Sequence, residues 1–185
     1  SGLDPDFYPN VDWSKLLLKN GAMSYRADLS MSGGGNTARY FVSLSYVEDQ
    51  GMYNTDETLR KKYDTNANYK RWNYRMNVDI DVTPTTIIKL GVSGNLNKRN
   101  SPGLGDQYLW SELFGFNALS SPVLYSNGYV PAYGNNVHQM NPWVSSTRTG
   151  YNEEWDNNIQ TNVTVDQKLG FITKGLSFTG RFGYD

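Results

Sequence analysis

A chain of 185 residues with 17 Lys and Arg against 18 Asp and Glu is electrically balanced, so a nucleic-acid partner finds no basic footprint on it. It holds no Cys, which excludes a disulfide framework and thiolate chemistry of either the metal-binding or the nucleophilic kind. No run of about 18 apolar residues occurs, which excludes a transmembrane helix. A mean hydropathy of −0.62 does not exclude membrane strands, because their alternation averages out to polar. The opening Ser1-Gly2-Leu3-Asp4-Pro5 lacks the basic start and apolar stretch of a signal peptide. The expectation is an intracellular chain, or a mature or internal piece of an exported one. The length suits one ordinary unit, and aromatics at 14 %, led by 14 Tyr, favour strands over helices.

In chain order, Val11 to Lys19 predicts a short helix, with Asn10 or Asp12 as N-cap and Gly21 as its stop. Residues 23–32 alternate strictly: Met23, Tyr25, Ala27, Leu29 and Met31 share one face, with Ser, Arg and Asp on the other. Gly33-Gly34-Gly35-Asn36 supplies a tight reversal. The return strand, 38–47, sets Ala38, Tyr40, Val42, Leu44 and Tyr46 against Arg39, Ser43 and Ser45, while Phe41 and Val47 break the polar row. A polar stretch without period, 48–71, reads as a long loop. The strand at 72–82 is the most regular: Trp72, Tyr74, Met76, Val78, Ile80 and Val82 lie on one face, and Asn73, Arg75, Asn77, Asp79 and Asp81 on the other. Thr83-Pro84-Thr85-Thr86 ends it, since proline fixes φ and cannot continue the ladder. The strand at 87–96 alternates Ile88, Leu90, Val92, Gly94 and Leu96 with Lys89, Gly91, Ser93 and Asn95. A second long loop, 97–154, holds four prolines and a short helix predicted at Gln107 to Phe116. Strands at 155–168 and 176–185 close the series, joined by a turn around Gly170 to Gly175.

The connections run short, long, short, long, short, and the long ones far exceed the roughly 4–6 residues usual in compact domains. Strands of about ten residues, tight turns at one end, long loops at the other and an unbroken apolar face match an outer-membrane barrel. Tyr25, Tyr46, Trp72, Tyr74, Trp155, Phe182 and Tyr184 are expected near the long-loop ends, as an interfacial girdle. The predicted fold is all-β: antiparallel up-and-down strands forming part of a transmembrane barrel, with long extracellular loops.

Three stretches carry a family resemblance. They are Asn10-Val11-Asp12-Trp13; Leu29-Ser30-Met31-Ser32-Gly33-Gly34 followed by Ala38-Arg39-Tyr40-Phe41-Val42-Ser43-Leu44-Ser45-Tyr46; and Phe171-Ile172-Thr173-Lys174-Gly175-Leu176-Ser177-Phe178. In these the chain resembles the barrel of SusC-like (RagA-like) TonB-dependent outer-membrane transporters of the Bacteroidetes. The resemblance implies a barrel of roughly twenty-two strands, an N-terminal plug domain, a TonB box and a SusD-like surface lipoprotein acting as a lid. It also implies import of glycan or peptide oligomers, location in the cell outer membrane and no cofactor. Neither plug nor TonB box is recognisable in these residues, so the chain is expected to be about six strands of the barrel. Such a piece needs the remaining strands and the outer-membrane lipid, because open edges leave N–H and C=O groups unsatisfied in hydrocarbon.

Arg26, Asp28, Arg39, Arg75, Asp79, Asp81, Lys89, Asp166 and Arg181 are expected to line the lumen, paired with one another and with the plug. Asp79 and Asp81 have the spacing of a metal or acid–base pair, but the polar row explains them as well and no metal is assigned. His138 stands alone and receives no catalytic role, and no nucleophile, base and orienter come together. The chain is therefore not expected to be an enzyme. In the long loop Tyr108, Trp110, Phe114, Phe116, Tyr129, Tyr133 and Trp143 are candidates for contact with substrate or lid, since aromatic faces stack on sugars and also serve peptides. The plainer reading is that these rings form the loop's own small core. Asp49, Asp56, Glu57 and Asp64 read as a solvated face, with a surface calcium site as the weaker alternative. The rival to the barrel is a soluble β-rich carbohydrate-binding or adhesion module, and a surface glycosidase ranks third.

Overall fold

The computed structural model describes residues 2–59, 62–131 and 141–185. The chain forms two compact units: a sheet unit of residues 25–48, 70–98 and 155–185, and a loop body of residues 1–24, 49–69 and 99–154.

Six strands, β1 (Ser24–Gly34), β2 (Ala38–Asp49), β3 (Tyr69–Thr83), β4 (Thr86–Pro102), β5 (Tyr151–Lys168) and β6 (Ser177–Tyr184), form one sheet in sequential order. The β1–β2 reversal closes through Gly35 N–H donating to the Ala38 carbonyl, 2.8 Å. A side chain on Gly34 would fall 2.5 Å from that oxygen and 2.7 Å from Arg39 Cα, so close backbone approach requires glycine there. At the β3–β4 turn Thr83 Oγ1 accepts from Thr85 N–H, 3.2 Å, and donates to Thr86 Oγ1, 2.8 Å. β5 and β6 pair antiparallel, with Val163 opposite Phe182 and Asp166 opposite Thr179.

Strands run past their alternating stretches, most of all β4 to Pro102 and β5 back to Tyr151. Period-two hydrophobicity marks a strand only where one face is apolar. Where both faces are wet, the ladder continues without that signature.

The sheet unit has no apolar interior. Many of its large apolar side chains stand open, 37 % exposed at Val163, 45 % at Met76 and 71 % at Tyr184, while others such as Val78 and Ile80 are half-buried and none is buried. Among the described residues, every buried apolar side chain belongs to the loop body: Trp13, Leu17, Tyr53, Leu109, Leu113 and Val144.

Three helices organise that body: α1 (Trp13–Leu17), α2 (Asp106–Gly115) and α3 (Pro142–Thr147). Asp12 caps α1 by accepting from Lys15 N–H, 3.0 Å. α1 stops earlier than its sequence predicts. Leu18 pairs instead with Tyr53, and Asn54 Nδ2 donates to the Leu16 and Leu18 carbonyls, taking up oxygens a longer helix would have used. α3 was not predicted, although Asn141-Pro142 is a cap followed by an N1 proline. Asn141 is fully buried; its Oδ1 accepts from Val144 N–H while its Nδ2 donates to the Pro122 and Val123 carbonyls.

Candidate functional site

The apolar face of the sheet ends in an aromatic row. Tyr46 and Trp72 lie 5.5 Å apart, and Trp72 stacks on Trp155 at 6.5 Å with planes 5° from parallel. Lys98 Nζ sits 4.7 Å from the centre of the Trp155 ring, a cation–π contact. Two residues beyond Tyr46 and Trp72 the same face turns charged: Glu48 pairs with Lys70 at 3.3 Å and accepts from Tyr46 Oη at 2.7 Å. Rings at the edge of an apolar band, with charges just beyond, form the pattern of a membrane–water interface.

Below the row, rings cover glycines on neighbouring strands. A side chain on Gly33 would meet the Tyr40 hydroxyl at 2.6 Å, and one on Gly94 would meet the Tyr74 hydroxyl at 2.5 Å. Phe182 and Tyr184 depart from the expected girdle. They pair with Val163 and Thr161, well along β5 from Trp155, since β6 begins opposite Lys168. Both rings therefore sit within the apolar band.

The opposite face is polar and largely paired. Arg39 forks both terminal nitrogens onto Asp81, at 2.7 and 3.0 Å. Arg26 holds Asp28 at 2.8 Å, and Lys89 holds Asp166 at 2.7 Å, with Thr179 donating to the other oxygen at 2.8 Å. Asn97 donates to Asp156, and Arg71 to Asn73. Arg181 and Lys89 both act on Asp166, and Asp79 lies within the field of Arg39 and Lys89. Arg75 has no ion-pair partner among the described residues. Asp81 is committed to Arg39, and no three His, Cys, Asp or Glu gather as metal ligands among the described residues.

The loop body divides the aromatic candidates. Phe116 packs edge-on against Trp13 at 5.5 Å, and both it and Trp143 lie on the buried cluster of Trp13, Leu17 and Leu113. Trp110 stacks with Phe114 at 5.8 Å, and Phe114 and Tyr129 are 80 % and 72 % exposed. Tyr108 is half-buried; burial, then its hydrogen bond to Glu112, pushes its phenol up to about 12. Burial, then Asp106, likewise raises Tyr53. Asp56 accepts from Thr58 Oγ1 at 2.6 Å, Thr58 N–H at 2.9 Å and Arg148 at 3.1 Å, and these donors hold its carboxyl below the ordinary value of 3.8. Tyr133 and His138 lie outside the described residues. The buried cap at Asn141 and the Asp56–Arg148 tie were missed in the sequence; for Asn141 the following proline was the available signal.

No family model matches the chain. TonB-dependent receptor P26 of Formosa agariphila is 24 % identical over 187 residues, covering 93 % of this chain and 19 % of that protein. TonB-dependent receptor P3 of the same organism is 26 % identical over 91 residues, 49 % of this chain and 8 % of that protein. Among solved structures, the RagAB peptide importer in the closed-closed state matches with a TM-score of 0.57 at 21 % identity, over 96 % of this chain and 19 % of that one. A second structure, of the RagAB peptide transporter, matches at 0.56 and 23 % identity, over 99 % of this chain and 19 % of that one. The chain thus spans 19 % of the length of the relatives it matches most fully. These matches bear out the expected SusC-like resemblance, the all-β class with antiparallel up-and-down strands, and the outer-membrane location.

Proposed function

We propose that this chain is a stretch of the barrel wall of a TonB-dependent outer-membrane importer of glycan or peptide oligomers, working with a SusD-like surface lipoprotein. The observation that carries the reading is a six-stranded sheet whose apolar face buries none of its large side chains and whose apolar band ends in a row of stacked rings and charges. A protein core would bury such a face, whereas lipid solvates it. The paired polar face, from Arg26–Asp28 through Arg39–Asp81 to Lys89–Asp166, then lines a wet lumen. Energy comes from the TonB complex through the plug region, and the neighbouring barrel strands satisfy the open edges at β1 and β6.

Trp110, Phe114 and Tyr129 present open rings to a ligand or to the lid lipoprotein, whereas Phe116 and Trp143 hold the loop body together. No bond-making step is assigned to the chain. Similarity to a peptide importer supports peptides as cargo, and glycan oligomers remain the other cargo of this reading. The test is extraction. Membranes of cells that produce the whole protein are washed with alkaline carbonate or with urea, both without detergent. The protein should stay in the pellet and be released only by detergent, bringing a SusD-like lipoprotein with it on mild solubilisation. Release by the wash alone would sink the barrel reading.

A further inference from the structure

The polar face carries a concavity of about 370 Å³ beside Arg75. It is lined by Phe41, Ser43 and Ser45 of β2, Asn73, Tyr74 and Arg75 of β3, Ser93, Gly94 and Asn95 of β4, and Gln160 of β5. Small hydroxyl side chains on the two strands flanking Arg75 make the hollow. No acidic residue lines it. On the same face Arg26, Arg39 and Lys89 each hold a carboxylate within 2.8 Å, while Arg75 has none among the described residues. Phe41 is the second anomaly: it stands 38 % exposed between Arg39 and Ser43 in a row whose other apolar member is Val47. Breaks in a regular pattern concentrate where a chain serves something other than its own folding.

A planar guanidinium with five donors fits a carboxylate in a bidentate fork. Around it, hydroxyls and amides give neutral hydrogen bonding without a competing charge, and the Phe41 ring gives an apolar edge. We infer that the Phe41–Arg75 concavity binds a carboxylate flanked by hydrogen-bonding groups, either the C-terminus of a short peptide or the uronate of an acidic sugar. The inference rests on the importer reading, since that reading brings soluble oligomers to this face. Membrane partition is measured separately, so the two can fail independently.

The test uses the full-length transporter in detergent and two probe pairs followed by saturation-transfer NMR: trialanine with trialanine amide, and trigalacturonate with its methyl ester. In one pair the carboxylate form should bind about tenfold more tightly than its neutral twin, and the pair that responds names the source. Arg75→Met should erase that preference and leave the neutral twin unaffected. Arg75→Lys, a point donor in place of a fork, should reduce it. Phe41→Ser, which restores the alternation and should fold at least as well, should weaken both members of the pair. The proposal is overturned if neither carboxylate binds, if both twins bind alike, or if either Arg75 variant keeps the full preference. Survival of the preference with a lowered melting temperature in Arg75→Met would place a carboxylate of the protein itself on Arg75, which also overturns it.

Discussion

At Asp56 three donors converge on one carboxylate: the Thr58 hydroxyl, the Thr58 amide and the Arg148 guanidinium. The folded value lies below the ordinary 3.8, so the contribution of Asp56 is fully present above about pH 4 and is lost as pH falls through the lowered value. Amide exchange in the loop body should be flat from pH 7 to 5, after correction for the intrinsic rate, and should rise below pH 4. Asp56→Ala should already show the faster exchange at pH 7, with a local loss of about 1–3 kcal/mol. A variant as protected as the wild type would remove this tie from the account. Two rings in the same body test the division between packing and contact. Trp143→Ala, beside the buried cluster, should lower the stability of the body by about 3 kcal/mol. Phe114→Ala, on a ring 80 % exposed, should leave stability unchanged and weaken ligand or lipoprotein binding. Of these roles only the residue types were legible beforehand, because which aromatic turns inward depends on contacts such as Trp13 with Phe116, more than a hundred positions apart in the chain.

Strands are read most safely where alternation has an apolar side to report. β3 shows it from Trp72 to Val82, and there sequence and structure coincide, whereas the far ends of β4 and β5 were invisible because neither face is apolar. Helix α3 was missed because six residues are too few to display a 3.6-residue period. The apolar assignment of β3 can be tested one residue at a time. Met76→Arg should destabilise the assembled barrel by about 2–4 kcal/mol at the middle of the band, while Asn77→Arg, one position on and facing the other way, should cost about 0.5 kcal/mol or less. Urea titration of the protein folded in lipid vesicles measures both. Equal costs at the two positions would mean that the faces have been assigned to the wrong surroundings.

For the molecule as a whole, the contrast between a sheet with no interior and a loop body holding every described buried apolar side chain separates this fold from a soluble sandwich. A sandwich needs a second sheet or a helix over its apolar face. The 185 residues expressed alone should therefore precipitate in water, through the open face and the β1 and β6 edges. A soluble monomer by sedimentation would favour the adhesion-module reading. Composition was a poor guide at this scale, since alternating strands leave the mean hydropathy polar while concentrating the apolar atoms on one side.

The rings and charges that bound the apolar face also act as a ruler. From Trp72 to Val82 is ten residue steps, roughly 33 Å of extended chain, against an apolar layer of about 25 Å. The two lengths agree when the strand leans about 40° from the membrane normal. In a closed cylinder, lean, stagger and girth cannot vary independently. The spacing between one tryptophan and one valine thus constrains how wide a pore this wall can enclose.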